Sequence, residues 1–148
     1  MRFVIQRVSH ASVTVEGEKV SEIGKGFLVL MGVTHSDTKE TADKMVRKMQ
    51  GLRIFEDAEG KTNLSLKDVG GEVLMVSQFT LYADCKKGNR PSFTDAAGQE
   101  YANELYEYAV SKTMEYIDTV KCGVFGGDMK VELLNDGPFT VILDSDII

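Results

Sequence analysis

A proline stands between two stretches of this sequence that each have the composition of a β-strand, and it limits how they can be joined. Pro138 follows Gly137 within Asn135–Thr140, and the predicted strands on either side are Met129–Leu134 and Phe139–Asp144. Proline has no N–H to donate and holds φ near about −65°, so it cannot simply continue a strand ladder. The Gly-Pro step therefore fixes a loop in one shape.

Two interpretations of this loop are open from local sequence. Asp136-Gly137 is a strong hairpin signal, which favours a turn between two paired strands. If the Gly137-Pro138 bond is cis, the neighbouring carbonyls can instead point together out of the loop, but only about 5–6% of X-Pro bonds in folded proteins are cis. Local sequence alone therefore favours the hairpin.

Length and composition predict one ordinary domain. A chain of 148 residues is long enough to bury a substantial core, and we expect a single domain over residues 1–148. No apolar run approaches the roughly 20 residues that span a bilayer, and Met1–Val8 lacks the pattern of a signal peptide. The expected location is cytoplasmic, without a membrane partner.

Charge and metal-binding residues exclude some classes of function. The net charge of −6 argues against a protein that coats nucleic acid through a broad basic face. Cys85 and Cys122 form no Cys-x-x-Cys pair, and His10 and His35 form no ligand pattern with them. We expect reduced thiols, no metal and no cofactor.

The periodicity of apolar residues predicts a mainly antiparallel α+β fold. Gly26–Val33 is continuously apolar, as in a strand buried on both faces at the centre of a sheet. An amphipathic helix is predicted between the cap candidates Ser36–Thr38 and Gly51, with Ala42, Met45, Val46 and Met49 on one face. The other predicted strands are Phe3–Val8, Ser12–Glu16, Lys19–Ile23, Arg53–Glu56, Glu72–Phe79 and Thr119–Phe125.

A second helix is predicted over Asp95–Tyr116, with Tyr101, Leu105, Tyr108 and Ala109 on its apolar face. Between the helices, Tyr82–Thr94 has no period and is expected to be a surface loop. The sum is a sheet or barrel-like core of about seven or eight strands with two helices.

The sequence contains no P-loop, nucleotide-binding glycine fingerprint, zinc motif or nucleophile elbow. What remains is a polar segment, Ser77–Thr80, at the end of an apolar strand, where sites are common because a rigid scaffold holds them. On composition alone, hydroxyls that satisfy their own strand end are the favoured explanation. The densest basic cluster, Lys86, Lys87 and Arg90, is either solvated or a phosphate contact.

Taken together, these segments resemble the D-aminoacyl-tRNA deacylase family, dimeric editing enzymes that hydrolyse D-amino acids from tRNA. The residues that carry the resemblance are Ser77–Leu81 and Asn135–Thr140. Supporting matches are Met1–Val8, Arg53–Phe55, Asn63–Leu66 and Lys87–Phe93.

The resemblance implies a homodimer in which Gly137-Pro138 is a cis step that enters the active site of the partner subunit. Its carbonyls would crowd the side chain of an L-amino acid and leave room for the D enantiomer, a selection by built-in clash. Glycine has no side chain and would not be rejected. Arg7 matches the family arginine that holds the Gly-Pro loop. The implied partners are a second copy and tRNA that carries a D-amino acid or glycine, with no DNA.

The implied reaction is ester hydrolysis, whose transition state places negative charge on the former carbonyl oxygen. We assign stabilisation of that charge to the main-chain N–H groups of Phe79 and Thr80, with Ser77 and Gln78 positioning the substrate. Thr80 as nucleophile is the alternative, but no histidine lies near it along the chain. Attack by water, assisted by the 2′-hydroxyl of the tRNA, is preferred.

The terminal adenine is expected to pack against Phe125 and Met129, and Lys86, Lys87 and Arg90 become expected phosphate contacts. Asp128 departs from the family pattern, which more often has a small apolar residue there. Two other functions stay open: a non-catalytic dimeric binding module, and a threonine-dependent esterase of small molecules.

Overall fold

Two long strands organise the molecule. In the computed structural model, which describes residues 1–148, strand β1 (Arg2–Val15) pairs antiparallel with the last strand from Arg2↔Asp144 to Val15↔Met129. The remaining elements, in order, are β2 (Glu18–Ile23), β3 (Gly26–Gly32), α1 (Lys39–Gln50), β4 (Phe55–Glu56), β5 (Thr62–Leu64), α2 (Leu66–Val69), β6 (Glu72–Ser77), a 3₁₀ turn (Phe79–Tyr82), α3 (Gln99–Met114), β7 (Val120–Cys122) and β8 (Met129–Asp144).

Six strands form one mixed sheet in the order β2-β1-β3-β6-β7, with β8 added on β1. The ladders of β1 are antiparallel, whereas β3–β6 and β6–β7 are parallel. β2 and β7, at opposite ends of this order, contact each other, so the sheet curls into a nearly closed barrel. The predicted α+β class and strand number are confirmed, and a short third helix, α2, was missed.

The core lies on both faces of β3 and β6, as the apolar run Gly26–Val33 predicted. Phe27, Val29 and Met31 pack on one face with apolar residues of α1 and α3. Leu28 lies on the other face with Val8, in a second cluster. Two-sided burial explains why the sequence of β3 has no polar alternation. None of the helices has the length and apolarity that a membrane span requires.

The two longer helices differ in how well their buried faces were predicted. In α1 the Thr38 side chain accepts the Thr41 N–H, and the buried residues are the four predicted ones. In α3 the predicted face was wrong for Tyr101, which is 40% exposed, while Tyr106 is buried. Tyr101 donates its hydroxyl to Asp37 O at 2.5 Å. A tyrosine with a polar tip can lie at the edge of a core, so its position does not mark the core face.

The observed strands differ from the predicted ones mainly in where they begin and end. Met129–Leu134 and Phe139–Asp144 are parts of one strand, β8, so the hairpin interpretation is wrong. Phe3–Val8 and Ser12–Glu16 likewise belong to one strand, and the strand predicted over Arg53–Glu56 is only two residues long. The predicted strand Thr119–Phe125 shortens to Val120–Cys122. The physical reason is that β1 pairs with β8 on both sides of the proline-containing segment, so the two flanks continue as one strand and do not turn back on each other.

Asp37 ties the start of β1 to the loop before α1. Its side chain is 3% exposed and forms an ion pair with the Met1 ammonium group. The other carboxylate oxygen accepts the Thr34 N–H at 2.8 Å. A buried carboxylate is tolerated when it is paired and hydrogen-bonded in this way.

We expect Asp37→Asn to lower the free energy of unfolding by roughly 3 kcal/mol, because it leaves a buried ammonium group without its counter-charge. Urea denaturation, with its midpoint and slope, measures this change. Asp118→Asn, at an exposed position, is the control and should change stability by less than about 0.5 kcal/mol. Equal stability of the two variants would contradict the importance of this ion pair.

Candidate functional site

The polar segment Ser77–Thr80 forms the transition from β6 to the 3₁₀ turn. The Gln78 N–H donates to Met31 O at 2.7 Å, and the first turn N–H that is bonded is that of Leu81, to Gln78 O at 3.2 Å. The N–H groups of Phe79 and Thr80 come before it, and the first N–H groups of a helical turn have no acceptor within the turn. Two adjacent main-chain donors are therefore left without an acceptor inside the turn.

A glycine on β3 lets this turn lie against the sheet. A Cβ atom on Gly32 would be 3.0 Å from Leu81 Cβ and 3.2 Å from Gln78 O. Any side chain there would push the turn outward. Glycine at this position therefore allows the turn that contains Phe79 and Thr80 to pack closely on β3.

The Thr80 hydroxyl is engaged by its neighbour. Gln78 Nε2 donates to Thr80 Oγ1 at 2.5 Å, and Thr80 is exposed. His35 Nε2 is hydrogen-bonded to Thr94 O at 2.8 Å, and neither His35 nor His10 forms a hydrogen bond with the Thr80 hydroxyl. The geometry gives Thr80 no activation as a nucleophile.

One cavity joins two segments that are far apart in the sequence. It has a volume of about 680 Å³ and is lined by 18 residues, of which 12 are hydrophobic. Ser77, Gln78 and Phe79 line it together with Phe125 and Met129. Such a volume and lining are typical of small-molecule sites. The other lining residues are Met31, Val33, Val76, Phe93, Ala96, Ala97, Gln99, Ala102, Tyr106, Gly126, Gly127, Asp128 and Val131.

Only two groups in this lining titrate. Burial, followed by the nearby Cys122, raises the pKa of Tyr106 above its ordinary value, and its hydroxyl donates to Met75 O at 2.8 Å. Asp128 is 85% exposed and pairs with Lys130 Nζ at 2.8 Å, so its charge is directed to solvent. The cavity offers no side chain placed as a general base.

The Gly137-Pro138 segment projects from the β1–β8 ladder as a large bulge. Between the pairs Gln6↔Thr140 and Val8↔Asn135, β1 contributes only Arg7, whereas β8 contributes Asp136–Phe139. The Gly137-Pro138 peptide bond is cis, and Gly137 has a φ of 134°. Both residues are exposed.

Arg7 fills the space behind this bulge. It is 6% exposed; its Nε donates to Asp136 O at 2.9 Å and its Nη1 to Ile54 O at 2.7 Å. The guanidinium carbon lies 4.9 Å from the centre of the Phe139 ring. A planar guanidinium suits carbonyl oxygens and an aromatic face at the same time. Arg7 is therefore bound to the Gly137-Pro138 segment, as the family resemblance implied.

Asn135 links the two ends of the bulge through hydrogen bonds that were not predicted from the sequence. Its Nδ2 donates to Arg7 O at 3.0 Å and to Phe139 O at 2.9 Å, and its Oδ1 accepts the Phe139 N–H at 3.2 Å. An asparagine at the start of a loop commonly bonds to the backbone of that loop. An asparagine at the start of the predicted loop was therefore the sequence feature that could have indicated these hydrogen bonds.

Several predicted site residues lie outside the cavity of their own chain. Arg7, Gly137, Pro138 and Thr80 are absent from its lining. The basic cluster Lys86, Lys87 and Arg90 is exposed on the loop that leads to Phe93. Phe93 lines the cavity and meets the Phe79 ring edge-on, with centroids 5.1 Å apart. The basic cluster is thus connected to the cavity only through its loop.

Comparison with known proteins assigns the family. The family model described as D-Tyr-tRNA(Tyr) deacylase matches residues 4–144. The chain belongs to the D-aminoacyl-tRNA deacylase family. Members of this family are ester hydrolases that release the amino acid from D-aminoacyl-tRNA, and the resemblance drawn from Ser77–Leu81 and Asn135–Thr140 is confirmed.

Relatives in the deacylase family match nearly the whole chain. The D-aminoacyl-tRNA deacylase of Desulfitobacterium hafniense strain DCB-2 is 58% identical, over 99% of this chain and 98% of its own. That of Clostridioides difficile strain 630 is 55% identical, over 98% and 97%.

Solved structures extend the comparison to the fold. One named c-Myc DNA Unwinding Element Binding Protein superposes with a TM-score of 0.92 at 43% identity, covering 97% of this chain and 98% of its own. A structure described as a probable eukaryotic D-amino acid tRNA deacylase has a TM-score of 0.81 at 18% identity, covering 96% and 97%, and so shares the deacylase fold.

We expect Asn135→Ala to lower the free energy of unfolding by about 1–3 kcal/mol, because partly buried main-chain groups at the two ends of the bulge lose their hydrogen bonds. Urea denaturation measures the change. The matched control is Asn103→Ala on α3, whose side chain makes one exposed bond, to Glu107 at 3.3 Å. A loss no larger than that of the control would show that the three contacts do not hold the bulge.

Proposed function

We propose that the cavity binds the aminoacylated end of tRNA and hydrolyses its ester, with L-amino acids rejected by Gly137-Pro138 of a second copy of the chain. The observation that carries this proposal is that Ser77–Phe79 line the same cavity as Phe125 and Met129. The donors for an ester and an apolar surface for a nucleobase are thereby adjacent. The proposed setting is the cytoplasm, where aminoacyl-tRNA is used.

The N–H groups of Phe79 and Thr80 are the proposed oxyanion donors. When water attacks the ester carbon, negative charge develops on the carbonyl oxygen, and preorganised main-chain donors stabilise it without having to reorient. Leu81 N–H is already bonded to Gln78 O, so the two preceding groups are the ones available. Ser77 and Gln78, which precede these donors in the chain and line the cavity, position the substrate.

Water is the proposed nucleophile, assisted by the 2′-hydroxyl of the terminal ribose. Among the residues that line the cavity, the two titratable ones are Tyr106, held protonated, and Asp128, paired with Lys130 at the surface. Neither is placed to remove a proton from water. The substrate therefore supplies the polar group that assists the attack.

Two groups of residues, one apolar and one basic, are the proposed tRNA contacts. Phe125 and Met129 offer an apolar surface for the terminal adenine, as bases in RNA sites pack against such side chains. Lys86, Lys87 and Arg90 are exposed on the loop that supplies Phe93, where they can contact phosphates of the acceptor end. Contacts of this local kind suit a chain with a net charge of −6, and DNA is not a proposed partner.

A homodimer supplies the second copy. β8 pairs only with β1, so its other edge is open, and Leu134 and Ile142 on this strand are 54% and 65% exposed. Proteins ordinarily cover a long edge strand that carries exposed apolar residues. Gly137 and Pro138 lie on the same strand but outside the cavity of their own chain, which supports a role in the cavity of a partner.

Stereochemical selection rests on the rigidity of the bulge. Its carbonyls are proposed to occupy the space that an L side chain needs, while a D side chain points away. Selection by clash can be strong, whereas a pocket that merely recognises an extra methylene gains only about 1–3 kcal/mol. Glycine has no side chain to exclude, so glycyl-tRNA is also a proposed substrate.

Thr80→Ala separates this mechanism from a threonine-dependent esterase. The substitution removes the hydroxyl and keeps the main-chain N–H, so we expect kcat for D-tyrosyl-tRNA to stay within about threefold, against a loss of about 10⁶ when a true nucleophile is removed. Thr62→Ala, at an exposed position in β5, is the control. A loss of several orders of magnitude in kcat would establish Thr80 as the nucleophile.

Matched D-tyrosyl-, L-tyrosyl- and glycyl-tRNA, incubated with the protein in chelator, test the proposed function as a whole. We expect hydrolysis of the D and glycyl substrates and none of the L substrate. Hydrolysis of none would favour a non-catalytic binding module, and equal hydrolysis of D and L would remove the proposed gate. Loss of activity in chelator would contradict the metal-free mechanism.

In the same assay we expect Gly137→Ala to lower the preference for D over L at least about tenfold, since only glycine readily adopts its φ of 134°. An added Cβ would also lie 2.9 Å from Arg7 Nη2. Gly60→Ala is the matched control, because Gly60 also has a positive φ, of 75°, but open space around it. Unchanged preference in Gly137→Ala would separate the bulge from selection.

A further inference from the structure

Arg2 connects the end of the sheet to the 3₁₀ turn that carries the proposed oxyanion donors. It is the first residue of β1 and pairs with Gly32 on one side and Asp144 on the other. Its Nη1 donates to Leu81 O at 2.7 Å, and its guanidinium carbon lies 4.8 Å from the centre of the Tyr82 ring. Arg2 thus contacts two successive residues of the turn.

The Leu81 contact fixes one end of the turn. The last carbonyls of a helical turn have no donor within it, and a charged guanidinium makes a stronger bond to such an oxygen than a neutral group does. The Phe79 and Thr80 N–H groups are at the other end of the same four-residue turn. Because the turn is short and internally bonded, the direction of its carbonyls sets the direction of its N–H groups.

Asp144 holds the guanidinium in place. Its Oδ2 accepts from Arg2 Nε at 3.0 Å and lies 2.9 Å from Nη2. Burial alone would raise the pKa of Asp144, but the Asp146 N–H and Arg2 together hold it below its usual range. The Asp144 side chain is 13% exposed and that of Arg2 is 36% exposed, so the pair is partly buried.

We propose that Arg2 is a positioning residue for hydrolysis: through Leu81 O and Tyr82 it orients the turn so that the Phe79 and Thr80 N–H groups converge on the ester carbonyl. The inference rests on the proposed function of those two donors. Arg2 is absent from the cavity lining and makes its contacts with the turn from outside the cavity. Its effect is therefore on the rate of the chemical step.

Lysine cannot reproduce this arrangement. The guanidinium reaches Leu81 O with one nitrogen, Asp144 with two others, and stacks on Tyr82. An ammonium group is a point charge without a planar fork or a stacking face. Arg2→Lys should therefore restore part of the function, and Arg2→Gln none of it.

The test measures kcat and KM for D-tyrosyl-tRNA in Arg2→Gln, Arg2→Lys and the control Arg47→Gln, which removes an equal charge from the exposed side of α1. We expect Arg2→Gln to lower kcat at least about tenfold, which is a smaller effect than the removal of an oxyanion donor has. KM should stay within about twofold of the wild-type value. Arg2→Lys should be intermediate, Arg47→Gln unchanged, and rejection of L-tyrosyl-tRNA intact in all.

Other outcomes overturn the inference. A folded Arg2→Gln with the kcat of wild type would show that the turn is positioned without it, and raised KM at constant kcat would make Arg2 a tRNA contact. If Arg2→Gln does not fold, Arg2→Lys decides, because a kcat within twofold of wild type would then show that neither the planar fork nor the stacking on Tyr82 is needed to position the turn. Absence of D-tyrosyl-tRNA hydrolysis by the wild-type protein would instead refute the proposed function, and this inference with it.

Discussion

The antiparallel ladder between β1 and β8 is the contact on which both parts of the site depend. It runs from Arg2↔Asp144 to Val15↔Met129. At one end Arg2 reaches from the ladder to the Phe79–Tyr82 turn. Further along, Arg7 supports the Gly137-Pro138 bulge. The proposed donors for the reaction and the element proposed to select the substrate are thus both in contact with one strand.

Much of the scaffold was predictable because the signals are local. A strand buried on both faces needs a continuous apolar run, and Gly26–Val33 has one. The buried face of α1 follows from residue spacing alone. The polar ending of β6 was also visible, since polar residues interrupt an apolar strand at Ser77. Nothing in these elements depends on a partner far away in the sequence.

The predictions that were wrong or incomplete concern residues whose contacts lie far away in the sequence. Asp136-Gly137 has the composition of a hairpin, and only the pairing of both flanks with β1 converts it into a bulge. The role of Asn135 requires Arg7 O, and the hold of Arg7 requires Ile54 O; both acceptors are backbone atoms that no residue pattern reveals. The α3 face was misplaced because Tyr101 finds a hydroxyl acceptor at the edge of the core. Such contacts follow from the assembled fold.

The four residues that β8 inserts opposite Arg7 have a consequence for natural variation. Arg7 holds them through a main-chain oxygen and an aromatic face, and Asn135 closes them through main-chain atoms. A substitution in the bulge can leave these main-chain contacts in place, although Gly137 needs its positive φ and Phe139 its aromatic ring. Gaining or losing a single residue is different, because every later peptide would project to a different depth and turn to the opposite face. Insertions and deletions here should be rarer among related sequences than substitutions.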